Sequence, residues 1–162
     1  MKAPVVVVVA ALLASSACEI AQPFEGPKFG IGEGLLGDPQ DAPYIVAATF
    51  IELKDEPGVG ERFDRQVDLI VAAQDEVPGF VGRSLRKEFG GRKAWTMSAY
   101  ENEEAMIEFV GTDAHLDAID IAQELASDAR VTHWEVDAKD LPPSWEEAKA
   151  RLDTDGLSLY GN

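Results

Sequence analysis

One cysteine and two histidines among 162 residues leave little from which to build a disulfide, a thiolate cluster or a metal cage. Cys18 has no partner in the chain, and His115 and His133 fall on different segments without a carboxylate at ligand spacing. No metal and no cofactor is expected. Basic residues are scarce as well, 14 against 30 acidic ones for a net charge of −16. A surface of that sign repels phosphate backbones, so nucleic acid is not an expected partner. Gly58-Val59-Gly60 precedes a helix-like stretch but lacks the rest of a nucleotide fingerprint, and no Ser-His-Asp or Cys-His set presents itself. No apolar run approaches the roughly 20 residues that cross a bilayer as a helix.

What is present begins with a processing signal. Met1-Lys2 is a short basic start, Val5 to Leu13 is uninterruptedly apolar, and Ala14-Ser15-Ser16-Ala17 is a run of small residues before Cys18. That is the three-part layout of a secretory signal over residues 1–17. Ser15-Ser16-Ala17-Cys18 resembles a bacterial lipobox, although Ser15 stands where leucine is usual. The resemblance implies acylation of Cys18 and a lipid-anchored protein of the bacterial envelope, since several alkyl chains hold a chain on a membrane. The alternative is cleavage near Ala17 and a soluble periplasmic or secreted protein with a free thiol. Residues 18–42 are dense in Gly and Pro without apolar period, and are expected to form a flexible tether.

A folded domain is expected over 43–138. Tyr44 to Leu53 is rich in β-branched and aromatic residues on both faces, which predicts a strand covered from both sides. Glu61 to Asp75 places Phe63, Val67, Ile70 and Val71 at helical spacing. Phe80–Phe89 and Lys93–Tyr100 read as strands joined through Gly90-Gly91, a hairpin signal. Asn102 can cap a helix carrying Ala105, Met106, Phe109 and Val110, and Asp113 restarts one with Leu116, Ile119, Ile121 and Leu125. Arg130 to Val136 reads as a fourth strand.

The order βαββαβ predicts an α+β, ferredoxin-like fold, a four-stranded antiparallel sheet with two helices on one face. Right-handed crossovers place the first and third strands at its centre. The doubly apolar first strand then asks for a cover on the open face, and a homodimer would supply one. Over 139–162, Ser144-Trp145-Glu146-Glu147 has capping-box spacing and opens a helix to about Leu152, expected to dock on the domain edge.

Pro78-Gly79-Phe80, Trp95-Thr96-Met97-Ser98, Tyr100-Glu101, Phe109 and Ala114-His115 resemble the antibiotic biosynthesis monooxygenase group of dimeric α+β barrels. The resemblance covers Tyr44 to about Val136. It implies cofactor-free oxygenation of a small aromatic or quinol substrate in a dry pocket between helices and sheet. His115 would be the base, matching the group's histidine position. Trp95, Trp134, Tyr100 and Asn102 would bind substrate, with Trp134 facing the helices and His133 facing outward or toward the twin subunit. The haem-degrading branch fits poorly: the first strand has no Asn, and Phe109 and Ile119 stand where that branch has Trp and His. The competing reading is a non-catalytic dimeric module of a lipoprotein that binds a small apolar ligand or a partner.

Overall fold

A computed structural model describes residues 18–160, so the signal and most of the lipobox lie outside the described residues. The predicted order is present. Strand β4 (Tyr44–Leu53) is followed by α1 (Val59–Asp75), β5 (Phe80–Glu88), β6 (Lys93–Tyr100), α2 (Glu103–Val110), α3 (Asp113–Leu125) and β7 (Ala126–Val136). Before them come the short strands β1 (Glu19–Ala21), β2 (Phe29–Gly30) and β3 (Gly34–Leu35); after them come α4 (Trp145–Thr154) and β8 (Leu157–Ser158).

The local signals act where the sequence places them. Gly90, at φ 67°, turns the β5–β6 hairpin, a conformation glycine adopts without cost. Asn102 Oδ1 accepts from Ala105 N at 2.9 Å and stops an orphan donor at the start of α2 from going unpaired. Ser144 Oγ does the same for Glu147 N on α4 at 3.1 Å. The fourth strand is longer than expected because α3 passes straight into it at Ala126.

The sheet runs β1-β5-β6-β4-β7-β8, every neighbouring pair antiparallel. Its inner four have β4 and β6 at the centre, as right-handed crossovers require. The expected four strands are thus six, because each end of the chain adds one. β1 pairs with β5 and β8 with β7.

Odd and even positions of β4 face opposite layers. Ile45, Ala47, Ile51 and Leu53 pack under α1, α2 and α3. Tyr44, Val46, Ala48 and Phe50 face the other way, with Trp95, Met97, Trp134 and Val136. That second face is covered by the chain itself. Phe24 and Phe29 of the N-terminal segment lie on it, as do Ala148 and Leu152 of α4, with Leu141 and Trp145 beside them.

One expectation is corrected here, and the reason for another falls away. The segment after Cys18 is not a free tether: Gln22 N donates to Leu85 O at 2.8 Å, and Glu25 and Arg83 exchange backbone bonds of 3.0 and 2.8 Å. Gly26 serves close approach rather than flexibility, since a Cβ there would stand 2.3 Å from Gly82 Cα. The apolar face of β4 also no longer calls for a twin subunit, because both chain ends bury it. Glu19 joins those ends, its carboxylate taking Arg86 Nε at 2.7 Å and Lys149 Nζ at 2.7 Å. Partial burial alone would raise the Glu19 carboxyl, but Lys149 and then Arg86 more than offset it and hold it below the usual range.

Candidate functional site

A cavity of about 40 Å³ lies between α1, α3, β4 and the start of β7. Phe63, Val67, Ile70, Ile121 and Leu125 form its walls, and Gln66 is the one polar side chain among its lining residues. Gln66 is spent on structure: its amide nitrogen donates to the Ala114 carbonyl at 3.0 Å and ties α1 to the first turn of α3. No titratable group borders this space.

Nearer α2 lies the polar part of the same layer. Gln74 Nε2 donates to Ser98 Oγ at 2.9 Å and to Tyr100 Oη at 3.0 Å, and all three side chains are buried. Burial pushes the Tyr100 phenol well above its ordinary value, against the hydrogen bonds from Gln74 and Ser98, so it stays protonated. Its ring stacks on Phe109 at 6.0 Å, and Phe109 meets the His115 imidazole edge-on at 4.9 Å.

His115 occupies the first turn of α3. Its backbone N–H donates to Thr112 Oγ1 at 3.3 Å, closing the N-cap. Burial lowers the ring's basicity, partly countered by the Val110 carbonyl, which favours the protonated form. At neutral pH the ring is uncharged, and its Nδ1 finds no partner among the described residues. The histidine sits beside Phe109 and is not among the residues lining the cavity.

Of the expected substrate contacts, Tyr100 alone lies on this side. Strand register explains the rest. Phe50 pairs with Trp95 and Val46 with Trp134, so both tryptophans share the even face of β4, away from α1–α3. There Lys149 Nζ sits 4.2 Å from the Trp95 ring centre and the Arg151 guanidinium 4.8 Å from that of Trp134. The expectation of an inward Trp134 is therefore reversed, and His133, paired with Ala47, is exposed on the helix side. Asn102 is exposed and spends its carbonyl oxygen on the α2 cap, which leaves it outside the site.

Gln66 and Gln74 went unread in the sequence, and Ser98 was noted only within a motif, although a signal for each was there. Gln66 and Gln74 continue the stripe Phe63-Val67-Ile70 at helical spacing, so the period of α1 turns them inward. Ser98 shares the parity of Tyr100 on β6.

Residues 45–158 match the family described as Domain of unknown function (DUF3291). The chain belongs to that family. The match runs from β4 through β8, so α4 falls within the shared DUF3291 unit while the segment from Cys18 to Leu36 precedes it. No curated protein matches the chain.

Among solved structures, the protein SO0527 from Shewanella oneidensis superposes with a TM-score of 0.53 at 16% identity, over 61% of this chain and 97% of that one. A provisionally named antibiotic biosynthesis monooxygenase from Nitrosomonas europaea gives 0.53 at 12%, over 65% and 97%. A provisionally named monooxygenase from Lactobacillus acidophilus gives 0.52 at 19%, over 62% of this chain and 47% of that one, so this chain spans about half of that protein's length. Likeness at these identities is likeness of fold.

Proposed function

We propose that this DUF3291 protein is an envelope-anchored binding domain that takes a small apolar ligand between its helices and sheet, without oxygenase turnover. The observation that carries the reading is the cavity lining, which holds no acid, base or nucleophile and does not include His115. Size points the same way. An engineered apolar cavity that admits benzene measures about 150 Å³, against about 40 Å³ here. A quinol ring does not fit unless α1 and α3 part, whereas a short alkyl group or a single xenon atom does. Acyl groups on Cys18, an exposed residue at the head of β1, are the anchor in this reading.

The expected result is a xenon-dependent rise in melting temperature that Ala122→Leu, on the cavity wall, removes. Oxygen uptake with reduced quinols should stay at the rate of quinol alone.

A second reading, cofactor-free oxygenation with His115 as base, draws on one observation. Gln74, Ser98 and Tyr100 form a buried polar group on the helix side, where an oxygenase would orient its substrate. Oxygen consumption above autoxidation that disappears in His115→Ala would favour that reading and overturn the first.

A further inference from the structure

We propose that the tip of the β5–β6 hairpin rests on the membrane, with Phe89 in the interfacial layer of the same bilayer that holds the acyl chains of Cys18. The inference rests on the anchor reading above and goes beyond it, from attachment to orientation.

Phe89 is the most exposed of the large apolar side chains among the described residues, at 72%, and Ile20 nearby is 57% exposed. Phe89 N donates to the Cys18 carbonyl at 2.7 Å. β1 then starts at once, with Glu19, Ile20 and Ala21 opposite Glu88, Lys87 and Arg86. No slack remains between the acylation site and the sheet. An alkyl chain leaving Cys18 therefore starts from the next strand over, about 5 Å from the Phe89 backbone at ordinary strand spacing. Any bilayer that receives those chains meets the hairpin tip first.

The fold directs the remaining surface away from it. Tyr100, at the far end of β6, leads into Glu101, Glu103 and Glu104. β6 separates the two ends by roughly 25 Å at about 3.3 Å per residue, which keeps these carboxylates off the headgroups. Attraction to anionic lipid is not needed for the contact, because two of the three basic groups at the hairpin end are already engaged and only Lys93 is left over. Lys87 pairs with Asp64, and Arg92 Nη2 lies 3.5 Å from Glu52 Oε1. The contact is apolar and follows from the anchor's position, so it should be indifferent to lipid charge.

The test uses the full chain, produced with its own signal and reconstituted into phosphatidylcholine vesicles. Phe89→Cys carries an NBD fluorophore, and Glu103→Cys carries the same label as the distal control; an acylated Cys18 does not react. Lipids bearing a nitroxide should quench the label at position 89 several-fold and leave that at position 103 unchanged. The result should be the same after part of the lipid is replaced by phosphatidylglycerol. Equal brightness at both positions in a chain whose mass shows acylated Cys18 would overturn the proposal and leave the anchor standing. Absence of the acyl mass would remove the anchor and the proposal together. Shielding of position 89 in detergent, without quenching by nitroxide lipid, would assign the tip to a protein contact and overturn it as well.

Discussion

Phe24→Ala is expected to lower the free energy of unfolding by about 3 kcal/mol, the lower range for removing a buried phenylalanine. Urea titration of the variant beside the parent measures it. Phe24 is 9% exposed and sits on the sheet face opposite the three helices, edge-on to Phe29 with ring centres 5.0 Å apart. Truncation leaves a hole beside Gly82, where the Phe24 ring lies against the strand, and loosens the backbone bonds that follow at Glu25. The same change at Phe29 should cost a similar amount. The double variant should lose less than the sum, by about 1 kcal/mol, because each single change already forfeits the ring pair. A loose tether would give no measurable change at either site.

Leu152→Asp is expected to do more. Leu152 is 2% exposed beneath α4, in the cluster with Phe50, Trp95 and Trp134. Leucine truncation in a core costs about 2–5 kcal/mol, and a carboxylate placed there adds the penalty of an unpaired buried charge. Detachment of α4 would also free Lys149 and Arg151 from the tryptophan rings and break the Glu19–Lys149 pair. The variant should therefore melt at much lower temperature and expose an apolar sheet face, visible as dye binding and self-association. Retention of the parent's melting temperature would mean that α4 is not a cover at all.

The inner architecture was legible because period and punctuation agree. Helical spacing in α1, the Gly90-Gly91 turn and the Asn102 and Ser144 caps each fix an element and its limits. Alternation along β4 rightly required two covered faces, but it carries no information about which part of the chain supplies the second cover. Glycine and proline hid the answer. In the segment after Cys18 they read as breakers, whereas Gly26 and Gly82 are the positions where two backbones approach too closely for a Cβ.

The site was legible in part for a related reason. Alternation tells that Trp95, Met97 and Ala99 share a face, and it stays silent on whether that face meets the helices. The tryptophans were assigned to the substrate through the family resemblance, and register sends them to the other layer. Tyr100 was expected to bind substrate; its hydroxyl is buried on the helix side, and its partner Gln74 was visible only as a polar residue interrupting an apolar stripe. His115 stands at the predicted turn, beside an aromatic ladder rather than on the cavity wall.

A sheet capped by both ends of its own chain no longer needs a second subunit to bury that face, and this changes how the fold is used. Where an open face obliges two subunits to meet, the capped version can stand alone. Sedimentation equilibrium on the detergent-solubilised protein, corrected for bound detergent, measures this most directly. The mass of one chain across a wide concentration range is the expected result, and a stable two-chain mass at the lowest concentrations would contradict it.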